Sequence, residues 1–137
     1  MSADYPSMTT AEIRSKFLNF FEERGLKLYP SSSLVPDDPS LLLANAGMNQ
    51  FKEYYQGKKT MKDIGAISCQ KCVRTNDIDC IGEDGRHLSF FEMLGDFSFG
   101  GVSKQQACAW AFELITKEFK LPLDRLYFTV FTEDDET

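Results

Sequence analysis

Hydrophobic positions along the chain change period several times, and each change marks an element. Thr9-Thr10-Ala11-Glu12 has capping-box spacing: Thr9 can accept from an amide three residues on, and Glu12 can reach back. Ile13, Phe17, Phe20 and Phe21 then form one apolar stripe, while Glu22, Glu23 and Arg24 face water before Gly25. The spacing predicts an amphipathic helix that starts at the cap and stops at the glycine. Leu26 and Leu28 alternate around Lys27 as a short strand, and Pro30, Pro36 and Pro39 impose an irregular connection. Leu41-Leu42-Leu43, apolar on both faces, reads as a buried strand. Met48, Phe51, Tyr54 and Tyr55 fit one face of a short helix that Gly57 closes.

The second half is organised around Cys69 to Gly101. Val73-Arg74 ends one apolar run, TNDIDCIGEDG has the Asn, Asp and Gly content of a solvent-facing loop, and LSFFEML restarts the pattern as a strand. Beyond DFSFGG, Ser103-Lys104-Gln105-Gln106 is again capping-box shaped. Ala107, Trp110, Ala111, Leu114 and Ile115 predict a helix from about Lys104 to Phe119, and LYFTVF, residues 126–131, has the composition of a sheet strand. Hairpin signals outnumber regular strand-helix-strand spacing, which predicts an α+β domain with a mainly antiparallel sheet flanked by helices.

A length of 137 residues suits one domain with a single core. No apolar run approaches the roughly 20 residues of a membrane span, and the N-terminus lacks a secretory pattern. A cytoplasmic setting is the default expectation. The net charge of −6 argues against an electrostatic clamp on nucleic acid by this chain alone. Twelve Phe and five Tyr imply either large buried side chains or an apolar surface that meets a partner. Cys69 and Cys72 make one C-x-x-C without a second pair, and Cys80 and Cys108 stand alone. Zinc is therefore not expected, because a structural site needs four ligands and the single His has another context.

That context is the loop of the central hairpin. Arg74 stands at one end and Arg86-His87 at the other, with Phe90 and Phe91 just beyond. Guanidinium groups grip phosphate oxygens and an aromatic face stacks a purine, so the set suits a nucleotide triphosphate. No phosphate-binding loop of the G-x-x-x-x-G-K-[ST] type is present, and no Ser-His-Asp triad can be assembled.

Longer stretches are more specific. TAEIRSKFLNFFEERG, SSSLVPDDPSLLLANAGMNQFKEYYQGKK, SCQKCVRTNDIDCIG, GRHLSFFEMLGDFSFG, QQACAWAFELIT and LYFTVFTEDDE together resemble the alanyl-tRNA synthetase family of class II aminoacyl-tRNA synthetases. The resemblance runs from Thr9 to the end, leaving residues 1–8 as a flexible N-terminus. It implies that residues 9 to about 36 correspond to motif 1, a supporting helix and strand often found at a dimer interface. Residues 69 to about 99 correspond to motif 2, two antiparallel strands and a loop that hold ATP. Arg74 would contact the α-phosphate, and Arg86 and His87 the outer phosphates. One of Phe90 and Phe91 would stack on adenine, with the family pattern leaning toward Phe91. Glu92 would help place the adenine amine or Mg²⁺, and Asn45, Gly47 and Met48 would neighbour the alanine pocket. The implied reaction is activation of alanine by ATP followed by transfer to tRNA(Ala).

Three departures qualify the resemblance. No lysine lies between Arg74 and Arg86, where many family members carry one, and FGGVSK stands where FGDYFK is common. Motif 3, the rest of the amino-acid pocket and the tRNA-recognition region would follow Thr137. The expectation is thus an N-terminal part of the catalytic domain, contacting tRNA(Ala) mainly through downstream regions, with little activity alone. Two alternatives stand beside it: a non-catalytic nucleotide-binding or assembly module that pairs through its aromatic surface, for instance as a homodimer, and a zinc or redox protein using Cys69 and Cys72.

Overall fold

The computed structural model describes residues 7–76 and 78–134. Helix α1 (Thr10–Glu22) begins with the predicted capping box: Thr9 Oγ1 accepts from Glu12 N at 3.2 Å, and Thr9 N donates to Glu12 Oε2 at 2.7 Å. Gly25, at φ +88°, turns the chain out of the helix. Strand β1 (Lys27–Leu28) follows, then a long connection and a 3₁₀ turn over Asn49–Phe51 that runs into the short helix α2 (Lys52–Tyr55). Strands β2 (Gly65–Val73) and β3 (Phe90–Ser98) precede helix α3 (Lys104–Glu113). Ser103 caps α3 by accepting from Gln106 N.

The sheet has order β1-β2-β3 and is mixed. β1 pairs with β2 in parallel over two residues, and β2 pairs with β3 antiparallel from Gly65↔Ser98 to Val73↔Phe90. Arg74 N donates to Ser89 O at 2.9 Å, which carries the ladder one step past the strand ends. Antiparallel pairing therefore governs the hairpin but not the whole sheet.

Alternation along β2 sorts the molecule into two faces. Ile67 packs with Phe17, Phe20, Phe21, Leu26 and Leu114, the apolar core beneath α1 and α3. Arg24 joins those helices: Nη1 donates to Phe20 O, Nη2 pairs with Glu113 at 2.7 Å, and Cζ lies 3.4 Å from the Phe20 ring centroid. Ala66, Ser68, Gln70 and Cys72 face the other way, and all are buried. Phe51 covers that side, with its ring 4.8 Å from Phe97 and 5.5 Å from Tyr29.

Gln70, 1% exposed, organises the second face. Its Oε1 accepts from Ser32 N, Ser32 Oγ and Gln50 Nε2, while its Nε2 donates to Ser32 O and Lys71 O. The proline-interrupted connection and the 3₁₀ turn before α2 are thereby tied to the middle of β2.

Three predicted elements differ. Leu41–Leu43 is not a strand: Leu42 is 93% exposed, and the neighbouring chain is held by Leu41 N to Asp38 O and Ala44 N to Leu34 O. Residues 126–131 are likewise irregular, with Tyr127, Phe128, Val130 and Phe131 exposed and the Phe128 ring meeting that of Phe112. Branched and aromatic composition makes a strand only where a pairing edge receives it, and neither segment is paired in this sheet. The third is the helix expected to reach Phe119, which loosens into a π-type turn over Leu114–Glu118, closed by Phe119 N to Leu114 O. In its stripe Leu114 is buried and Trp110 half-buried against the core, whereas Ala107 and Ala111 are exposed. Of the predicted N-terminal tail, residues 1–6 lie outside the described residues, as do Asp77 and the acidic ending at 135–137.

Replacing Gln70 with Ala strands the Ser32 and Gln50 donors in a buried site. Urea unfolding is expected to show a loss of about 2–3 kcal/mol, the usual range for a buried polar network broken from one side.

Candidate functional site

The open end of the β2–β3 hairpin carries the predicted loop, closed by a 3₁₀ turn over Ile78–Cys80 and a tight return through Gly82 and Gly85, both at positive φ. Beneath it lies a depression of about 220 Å³ lined by Arg74, Ile81, Arg86, His87, Leu88 and Phe91. Four of the residues singled out from the sequence thus converge on one surface. The volume falls below the roughly 300–1,000 Å³ of a complete small-molecule pocket, so it suits one end of a nucleotide.

Arg74 is held at the rim by two contacts. Its Nε donates to Asn45 O at 2.9 Å, and its Cζ lies 5.5 Å from the Phe91 ring centroid, within cation–π reach. The guanidinium therefore has a fixed stem, and its terminal nitrogens have no hydrogen-bond partner among the described residues. The loop that supplies Asn45 is itself pinned. Val73 N donates to Ala44 O, Asn49 Nδ2 donates to Asn45 Oδ1, and Gly47 N approaches Met93 Sδ at 3.4 Å. A Cβ on Gly47 would stand 3.3 Å from Phe97 Cζ, so glycine permits this close approach to the sheet.

At the far end, Arg86 and His87 are anchored by Asp84, which accepts from both backbone amides at 2.9 and 3.0 Å and meets His87 Nδ1 at 2.5 Å. These bonds, the two amides foremost, hold the Asp84 carboxyl down to about 2. Asp84 was not visible as a site residue in the sequence; the D-x-x-H spacing in a glycine-containing loop is the signal that reveals it.

Phe90 and Glu92 lie on the opposite face. Val73 opposes Phe90 and Lys71 opposes Glu92, positions that alternate with Phe91 and Met93. Phe90 is 52% exposed. Glu92 forms an ion pair with Arg14 of α1 at 2.6 Å, and the guanidinium holds its carboxyl below the usual carboxylate range. Cys69 sits beside this pair, its thiol pushed up by burial, while Cys72 is buried on the other face. Odd spacing along one strand thus separates the C-x-x-C sulfurs. Among the described residues no group of three or more His, Cys, Asp or Glu is placed to hold a metal ion.

A larger cleft, about 600 Å³, lies between residues 32–39 and the segment from Asn49 to Lys59. Its charges are mixed, and four of them are paired, Lys52 with Asp38 and Lys59 with Glu53, both at 2.5 Å. No excess charge of one sign converges there as it does around Arg74.

The sequence profile of the family described as tRNA synthetases class II (A) matches residues 12–137. The chain belongs to this family. It is 52% identical to the alanine–tRNA ligase of Synechocystis sp. over 136 residues, 99% of this chain and 16% of that protein. It is 55% identical to the chloroplastic/mitochondrial alanine–tRNA ligase of Sorghum bicolor over 124 residues, 90% of this chain and 13% of that protein. With the alanine–tRNA ligase of Pseudothermotoga lettingae the identity is 52% over 130 residues, 95% of this chain and 15% of that protein. The chain spans about one sixth or less of the length of these relatives. In this class II family member, no helix among the described residues is long and apolar enough to cross a membrane.

Glu92 and Phe91 can be separated by experiment. Glu92→Gln is expected to loosen α1 from β3 while leaving ATP affinity within about twofold, because its side chain faces the helix; Phe91→Ala is expected to weaken ATP by about 1–3 kcal/mol, the scale of one lost base-stacking contact. Isothermal titration of both variants checks the pair.

Proposed function

We propose that this chain forms the ATP-holding part of an alanine–tRNA ligase active site. The observation that carries the proposal is the convergence of Arg74, Arg86, His87 and Phe91 on one depression at the open end of the hairpin. The relatives' names, alanine–tRNA ligase throughout, supply the substrate class.

In this reading the alanine carboxylate attacks the α-phosphorus of ATP, an oxygen–phosphorus bond forms, and pyrophosphate leaves with the electrons of the bond that breaks. Negative charge builds on the α-phosphoryl oxygens during that exchange. Arg74, braced by Asn45 O and Phe91, offsets it with a charge that cannot be lost near neutral pH. Arg86 and His87 hold the outer phosphates at the other end of the loop, and Phe91 offers the adenine its ring. Asn45, Gly47 and Met48 lie on the loop that touches Arg74 and Met93, and in this reading alanine binds against that loop, next to the α-phosphate. The Mg²⁺ that accompanies ATP arrives as part of the substrate. Transfer of alanine to tRNA(Ala) in the cytoplasm completes the proposed function.

Arg74→Ala is the direct test. Loss of one preorganised donor to a developing anion costs about 10²–10³ in rate. Alanine-dependent ATP–pyrophosphate exchange by the protein that carries this chain is expected to fall by that factor, with the unfolding midpoint nearly unchanged. Exchange within threefold of the unaltered protein would refute the role of Arg74.

A further inference from the structure

Asp84 spends both carboxylate oxygens on the residues that face the depression. Oδ1 accepts from Arg86 N and His87 N, and Oδ2 meets His87 Nδ1. Gly85, at φ +64°, turns the backbone so that one carboxylate reaches both amides and the ring. Held at about 2, the carboxyl is ionised throughout the range in which an imidazole changes charge. A carboxylate in that state only accepts hydrogen bonds. An ionised acceptor 2.5 Å from His87 Nδ1 favours a proton on that nitrogen and leaves Nε2 as the other ring nitrogen.

We propose that Asp84 is a positioning residue for the phosphate-binding imidazole: it keeps the proton on His87 Nδ1, so that Nε2 donates to a phosphate oxygen only after taking up a proton of its own. ATP binding is thereby coupled to proton uptake at one atom. A neutral ring held in this tautomer presents a lone pair to the phosphate, which repels it. The imidazolium presents N–H and a positive charge, and Asp84 offsets that charge from behind. Among the described residues the other charged groups lining the depression are Arg86, next in the loop, and Arg74, from the end of β2; neither changes charge near neutral pH. Ile81, Leu88 and Phe91 complete the lining with apolar surface. The phosphate half of this inference rests on the ATP reading above, whereas the tautomer half does not.

His87 is the only histidine in the chain, so a long-range ¹H–¹⁵N spectrum reports its ring without assignment. The expected neutral form of the unaltered chain is Nδ1–H. In Asp84→Asn the side-chain oxygen goes on accepting from the two amides and the NH₂ group faces the ring. That arrangement requires an acceptor at Nδ1 and moves the neutral proton to Nε2. Calorimetric titration with Mg-ATP between about pH 5.5 and 8 supplies the second readout. Affinity for the unaltered chain is expected to fall by up to about tenfold per pH unit once the imidazolium is lost. Asp84→Asn is expected to flatten this to less than about threefold across the range, because its neutral Nε2–H donates at every pH. Protonation of ATP itself is common to both proteins and cancels in the difference.

An Nε2–H neutral form in the unaltered chain overturns the proposal, and so do equal pH slopes for the two proteins. If ATP binds neither protein at any pH, the ATP reading falls together with the phosphate half of the inference. A pH-flat affinity in the unaltered chain overturns the inference alone. Both measurements on the unaltered chain stand even if the substituted loop fails to fold.

Discussion

The nine-residue antiparallel pairing of β2 with β3 is the constraint on which the molecule depends. Side chains alternate across it, so every position is committed to one of two faces once the register is set. One face carries Ile67 and Leu94 against the aromatic core of α1, with Glu92 tied to Arg14. The other carries Gln70, Met93 and Phe91, along with the loop that steadies Arg74. A slip of one residue would carry Phe91 to the helix side and Glu92 to the side of Gln70 and the depression. The site exists because the register does.

The face turned away from the helices is built from polar tethers and close approaches more than from apolar bulk. Gln70 alone makes four hydrogen bonds that hold the proline-interrupted connection and the 3₁₀ turn before α2 against the sheet. Gly47 brings its loop onto Met93 and Phe97 at distances that no side chain would allow without displacement. The carbonyl of Asn45 is thus presented to Arg74 by backbone geometry. The far end of the site is controlled in the same manner by one carboxylate, Asp84, serving two amides and a ring. A chain of net charge −6 assembles its cationic pocket locally, by bringing two ends of one loop together.

Elements whose signals are local were legible in the sequence. Thr9 and Glu12 form the capping box that their spacing implies, Gly25 ends the helix, and Ser103 starts α3. The hairpin was legible because its two apolar runs flank a polar loop, and Arg74, Arg86, His87 and Phe91 fall on one depression because loop ends meet wherever strands pair. Residues 41–43 and 126–131 were misread for a shared reason: a strand is completed by an edge elsewhere in the chain, and β composition says nothing about whether that edge is present. Glu92, to which the resemblance gives a role beside the adenine amine or Mg²⁺, alternates with Phe91 along β3 and pairs with Arg14 on the helix side. Asp84 carries a local signal in its D-x-x-H spacing, whereas Gln70 shows none, because its partners Ser32 and Gln50 are distant in the chain until the fold supplies them.

The central claim is that ligand chemistry belongs to the face of the hairpin turned away from the helices. An amide-resolved NMR titration of the chain with Mg-ATP tests this most directly. Shift changes are expected at Gly47, Arg74, Phe91 and the loop residues from Ile81 to Leu88, with Phe17, Ile67 and Leu114 in the helix-side core unmoved. Changes centred on that core or on the Arg14–Glu92 pair, with the loop silent, would contradict it.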